Sequence, residues 1–192
     1  MCGIIGYGGF TNKVSLTGAI SAISHRGPDD DGTAYFEKAA LGNTRLAILD
    51  ISKKGHQPMF NQDKTICITF NGEIYNFSKI KTLLKDKYSF KSNSDTEVIL
   101  NAYEEWGFKC LDKLNGMFSF VIYDSNKKLL FGARDRLGQK PLKYYFKNGI
   151  FIFASEIKAI LALLPDKPEV DEKAIDNFLT LQYVPSPQTG FK

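Results

Sequence analysis

The 192-residue sequence holds only two histidines and three cysteines. The cysteines, Cys2, Cys67 and Cys110, are odd in number and widely spaced, which argues against a disulfide framework. No Cys-x-x-Cys occurs and His25 and His56 are far apart in the chain, so a metal site is not expected. Thiols without partners suit a reducing compartment, and the cytoplasm is the expected location. No apolar run approaches the roughly 20 residues of a membrane span. The start does not read as a signal peptide, because Lys13 follows the apolar stretch and no h-region precedes a cleavage site. Neither sign of charge dominates, with 25 Lys and Arg against 21 Asp and Glu. The net charge is +4, and the densest lysine stretch, "KIKTLLKDK", is interrupted by leucines at helical spacing. It reads as the solvated face of a helix, not a nucleic-acid stripe.

What is present suits one globular domain. Hydrophobic residues make up 43% and charged residues 24% of the chain, enough for a real core. "GIIGY" reads as a short strand at the very start. Leu16, Ala19, Ile20 and Ile23 form a helical stripe. "NTRLAILD" reads as a strand with Arg45 and Ala47 on one face and Leu46 and Ile48 on the other. "TICITFNG" alternates, with Ile66, Ile68 and Phe70 opposite Thr65, Cys67 and Thr69. A helix is expected from about Phe77 to Lys87. A second begins at Ser94, where Glu97 three residues on suggests a capping box, and ends near Gly107. The second half is rich in short strands: "MFSFVIYD", "KLLFGARD", "PLKYYFK" and "IFIFASE". The first of these is apolar on both faces, so both sides of its sheet should be covered. Helices in the first half and strands in the second point to a layered α+β domain. Two packed antiparallel sheets with helices outside would account for the doubly apolar strand. The last residues, "VPSPQTGFK", read as a linker.

Several groups could carry chemistry. Cys2 is either a small buried hydrophobe or a nucleophile. Without Met1 it would carry both a thiol and a free α-amine, with pKa values of about 8.5 and about 8. The amine could then take the thiol proton, and no histidine would be needed. "GIIGYGG" does not qualify as a dinucleotide loop, because its first glycine has only two residues ahead of it. Asn71 and Gly72 are expected just past an alternating strand. They are either a turn or a pair of oxyanion donors. Arg45 in an apolar strand calls for an anion. Asp95 lies at the first turn of a helix, where the dipole alone would favour it. Together Arg45 and Asp95 could hold the two ends of an α-amino acid. "SHRGPDDDG" reads as a shaping loop or lid, since its acidic residues lack calcium-loop spacing. Arg134 and Asp135 read as a structural ion pair.

The segments "MCGIIGY", "SHRGPDD", "TRLAILD", "GHQPM", "FNGEIYN", "SDTEVIL", "LNGMFSF", "ARDRLGQKPL" and "FASEIKAI" stand in the order found in class II glutamine amidotransferases. The chain most resembles the N-terminal glutaminase domain of glutamine-hydrolysing asparagine synthetases, over residues 2 to about 160. The resemblance implies an N-terminal nucleophile hydrolase fold, a four-layer αββα sandwich of two antiparallel sheets. It implies that Cys2 attacks the side-chain amide of L-glutamine and that ammonia leaves through an internal channel. Asn71 and Gly72 would form the oxyanion hole. Arg45 would hold the substrate carboxylate, Glu73 and Asp95 its amino group. The backbone through Leu46, Ala47, Ile48 and Leu49 would line the pocket. Residues 2–165 would be the glutaminase domain, and 166–192 a helix and linker towards a C-terminal synthetase domain. No cofactor is implied here; ATP and Mg²⁺ are implied for that synthetase domain. It would be the partner, with a homodimer as a further candidate and no role for nucleic acid or membrane. One departure is Lys143 in "KPLKYY", where the family commonly has an aromatic residue.

Three readings follow. In the first, the chain hydrolyses glutamine for a synthetase that amidates aspartate, a sugar acid or another carboxylate. In the second, the fold is kept as a catalytically inactive scaffold. In the third, the thiol cuts a different amide, which the Arg45 and Asp95 pair disfavours.

Overall fold

In the computed structural model, which describes residues 1–192, the N-terminal strand β1 (Gly3–Gly8) is buried along its whole length. It lies at the centre of a five-stranded antiparallel sheet. β3 (Ala39–Arg45) flanks it on one side and β9 (Ile150–Ala154) on the other, with β2 (Asp30–Tyr35) and β8 (Lys143–Lys147) as edges. The second sheet runs β4 (Met59–Phe60), β5 (Ile66–Ile74), β6 (Gly116–Asp124) and β7 (Leu129–Arg134), again antiparallel.

Alternation along the strands builds four layers. Ile5 and Tyr7 of β1 join Ile152 and Ala154 of β9 under helices α1 (Thr17–Ala22) and α4 (Ile157–Leu161). The expected stripe Leu16, Ala19, Ile20 and Ile23 packs on this side. Ile66, Ile68 and Phe70 of β5 join Phe118, Phe120 and Ile122 of β6 under α2 (Phe77–Leu84) and α3 (Asp95–Trp106). Between the sheets lies a thin apolar layer of Ile4, Ala34, Leu41, Cys67, Val121 and Phe153. β6 is thus covered on both faces, as its composition requires. At the Cys2 end this layer turns polar. The Asn43 amide donates to Gln57 Oε1 at 3.3 Å, Thr69 Oγ1 at 3.1 Å and the Phe70 carbonyl at 3.3 Å.

Several local expectations are corrected. The strand expected at 43–50 ends at Arg45. Beyond it the backbone donors are taken by side chains, the Leu46 N–H by Cys2 Sγ and the Ala47 N–H by Asp29. The last third of the acidic loop "SHRGPDDDG" is strand. Asp30, Asp31 and Gly32 pair with Arg45, Thr44 and Asn43, because β3 offers them a partner. Strands are therefore not concentrated in the second half, since β1 to β5 precede α2. The capping box is half formed. Ser94 Oγ accepts from the Thr96 N–H at 3.1 Å, but Glu97 turns to the Lys91 and Ser92 N–H groups at 2.8 and 2.7 Å. Gly107 does end α3, at φ 57°. Near the end of the chain, α5 (Glu172–Leu181) is enclosed by a bridge between Val170 and Phe191, and only its Ala174 is buried. No helix is long and apolar enough to cross a membrane.

Candidate active site

Cys2 is held from three directions. Its chain continues into β1, anchored on both edges by β3 and β9. Its carbonyl accepts from Arg26 Nε at 3.0 Å, and Arg26 Nη1 is held by Glu156 at 2.9 Å. Its sulfur accepts from the Leu46 N–H at 3.4 Å and faces the Leu46 carbonyl at 3.7 Å. Burial pushes the thiol pKa up; the Leu46 backbone, the chain's terminal charge and Arg45 oppose that rise, while Asp95 adds to it. As the chain stands with Met1 attached, the thiol is protonated at neutral pH and needs a base to act.

Arg45 closes β3 and is 7% exposed. Its guanidinium reaches under the following loop, donating to the Ser52 carbonyl at 3.1 Å and to the Asp50 carbonyl. Gly55 makes room for it, since a Cβ there would sit 2.2 Å from Nη2. No carboxylate lies within 4.0 Å of it, so its positive charge faces the cleft without a counter-charge. The expected carboxylate partner is thus not supplied by the chain.

Asn71 and Gly72 lie inside β5, not past its end, and form no turn. The Asn71 side-chain amide nitrogen is buried and has no hydrogen-bond partner. The Gly72 N–H can be placed by alternation. The Tyr75 N–H bonds the β6 side at the Asn115 carbonyl, so the N–H groups of Phe70, Gly72 and Ile74 face the opposite edge. There Phe70 N–H meets Gln57 Oε1 at 2.7 Å and Ile74 N–H meets Asp95 Oδ2 at 2.9 Å. Gly72 N–H, between them, points into the space they frame. The glycine itself answers to the neighbouring strand, because a Cβ would lie 2.3 Å from the Met117 carbonyl.

Asp95, 5% exposed, opens α3 beside Glu73 at the end of β5. Burial pushes its pKa up to about 6; backbone N–H bonds, chiefly from Ile74, hold it down, and the Glu73 charge pushes it further up. The two carboxylates line the same cleft as Arg45.

These groups converge. Cys2, Arg45, Leu46, Ile48, Leu49, Asn71, Gly72, Glu73 and Asp95 line one cleft of about 150 Å³. Ala47 does not line it; its N–H is turned away to Asp29 at 2.9 Å. The cleft also has walls that the residue-by-residue reading passed over: Gln57, Ser94, Thr96, Met117 and Lys140. Gln57 had a signal in "GHQPM", a polar residue beside a proline. Arg134 and Asp135 are not an ion pair. Asp135 accepts from the N–H groups of Phe118, Leu137, Gln139 and Lys140, while Arg134 Nε donates to the Lys140 carbonyl at 2.6 Å. Backbone donors in the tight loop compete successfully for the carboxylate.

The whole chain, residues 1–192, matches the family model of the glutamine amidotransferase domain. It is 41% identical to a Methanocaldococcus jannaschii relative provisionally named as glutamine-hydrolysing asparagine synthetase 2, over 100% of this chain and 41% of the relative. It is 42% identical to glutamine-hydrolysing asparagine synthetase 1 of Bacillus subtilis, over 87% of this chain and 26% of the relative. The chain thus spans less than half the length of these curated relatives. Among solved structures, the glutamine phosphoribosylpyrophosphate amidotransferase of B. subtilis shares the fold with a TM-score of 0.72 at 22% identity, over 84% of this chain and 43% of that one.

Proposed function

The chain belongs to the class II glutamine amidotransferases, and from that premise we propose that its cleft hydrolyses L-glutamine to glutamate and ammonia, with Cys2 as nucleophile. The observation that carries the reading is the charge arrangement around one thiol. An arginine without a counter-charge and two carboxylates line one cleft that also holds Cys2 and an unpartnered amide donor. A free α-amino acid is the ligand that neutralises both ends at once. Its carboxylate goes to Arg45 and its ammonium to Glu73 and Asp95, which leaves the side-chain amide towards Cys2.

Once Met1 is removed, the Cys2 α-amine takes the thiol proton as the sulfur attacks the amide carbon. The oxyanion is received by the Asn71 amide and the Gly72 N–H. Collapse breaks the carbon–nitrogen bond, and the proton held by the amine leaves with the nitrogen as ammonia. A water then attacks the thioester carbon, glutamate departs and the thiol is restored. The steps balance without an external oxidant or reductant. Residues 2–165 form the glutaminase body in this reading, and 166–192 lead towards a synthetase domain that receives ammonia through a channel. That domain would use ATP and Mg²⁺. The names of the relatives favour aspartate as acceptor and asparagine as product.

Cys2→Ala should abolish glutamate release with the circular dichroism spectrum unchanged. Intact mass measured beside activity should show glutaminase only in molecules that lack Met1. Glutamate release by a clean Cys2→Ala protein would refute the assignment.

A further inference from the structure

Lys140 is 6% exposed and lines the cleft, yet no carboxylate lies within 4.0 Å of its ammonium. A buried lysine without a carboxylate partner is uncommon and costs desolvation energy. Its position is not accidental. Its N–H donates to Asp135 Oδ2 at 3.0 Å and its carbonyl accepts from Arg134 Nε, so a pinned loop delivers the side chain. Its Nζ lies 2.9 Å from Met1 Sδ.

The charges around Cys2 leave Lys140 without another task. Arg45 is committed to the loop carbonyls and a substrate carboxylate, Glu73 and Asp95 to the substrate ammonium. Asp50 is bound to Ser52 and to the Asn93 N–H. Arg26 holds the Cys2 carbonyl and Glu156, which His25 and Lys158 also contact. Asp29 holds the Ala47 N–H. Lys140 reaches the side chain of Met1, the residue bonded to Cys2, and lines the same small cleft as Cys2. Glu73 and Asp95 pull the α-amine of mature Cys2 towards its protonated form, and a second positive charge beside it opposes them.

We infer that Lys140 is a positioning residue that keeps the α-amine of mature Cys2 unprotonated, and so competent as a base, by placing a like charge beside it. The inference rests on the glutaminase reading for its consequence in turnover, but the titration of the amine stands apart from it.

The test uses protein shown by intact mass to lack Met1, as wild type, Lys140→Met and Lys140→Arg. Two quantities are followed from pH 5 to 10: kcat/KM for glutamine, and the rate of N-terminal acylation by a succinimidyl ester, read by mass spectrometry. In Lys140→Met the acid limb of both profiles should move up by about one pH unit. Lys140→Arg, which keeps the charge, should restore the wild-type limb. Unmoved limbs in Lys140→Met, or a uniform loss of rate with no shift, would overturn the inference. If wild type releases no glutamate, the glutaminase reading falls, and the acylation profile alone decides Lys140.

Discussion

Asp95 shows at the scale of one residue how burying a carboxylate in the candidate site works against stability. Its carboxyl, 3.8 in the unfolded chain, titrates at about 6 in the fold. The folded state therefore holds the proton more tightly. This contribution to stability is full below the unfolded value and is lost as pH rises through about 6. Above that, the ionised carboxylate costs on the order of 3 kcal/mol in the empty cleft. Asp95→Asn removes that charge and keeps an oxygen for the Ile74 N–H. It should stabilise the protein by about 1–3 kcal/mol at pH 8 and by nothing at pH 4, as measured by urea unfolding at the two pH values. An equal effect at both pH values would show that the carboxyl is not strained by ionisation. Cys2, Arg45 and Asp95 were legible in the sequence because each is a reactive or charged group in an apolar or helix-starting context. Lys140 was not. A lysine in a turn-dense run reads as solvated, and its burial follows from Asp135 gathering four backbone donors, which no local pattern announces.

Among the elements, α3 links the second sheet to the site, because its first turn supplies Asp95 and Thr96 to the cleft. Glu97 fixes the approach to that turn by accepting from Lys91 N–H, Ser92 N–H and Ser92 Oγ at 2.8, 2.7 and 2.6 Å. Glu97→Ala strands these donors in a nearly buried corner and should cost about 2–3 kcal/mol, whereas Ser94→Ala, losing one cap bond, should cost about 1 kcal/mol. Guanidinium denaturation of both variants checks the ranking; a larger loss for Ser94→Ala would reverse it. β5 and β6 were readable because alternation, or apolar residues on both faces, is written within each segment. β2 and the end of β3 were not. Asp30–Gly32 carries turn residues, and only pairing with β3 makes it a strand. The loop after Arg45 has strand-like composition, but Cys2 and Asp29 take its donors.

The whole molecule depends on a thin seam. Six buried apolar residues join the two sheets, and Phe153 is the largest of them. Its ring fits only because β1 has Gly6 opposite, where a Cβ would sit 2.4 Å from Cζ. Phe153→Ala should cost about 3–5 kcal/mol and loosen the cleft that the seam borders, seen as a lower Tm together with a higher KM for glutamine. A cost under 1 kcal/mol would mean that the helical layers alone hold the sheets together. The layering was legible from the doubly apolar β6, but the strand order was not, because β1 pairs with β9 across nearly the full chain. That pairing also sets a timetable. The ribosome must add about 150 residues after Cys2 before β9 exists, on the order of ten seconds or more at about 5–20 residues per second. Throughout that interval one edge of β1 has no neighbour and the first residue stays open to a processing enzyme. In the proposed mechanism, which needs a free Cys2 amine, this interval is when Met1 can be removed before β9 closes the sheet.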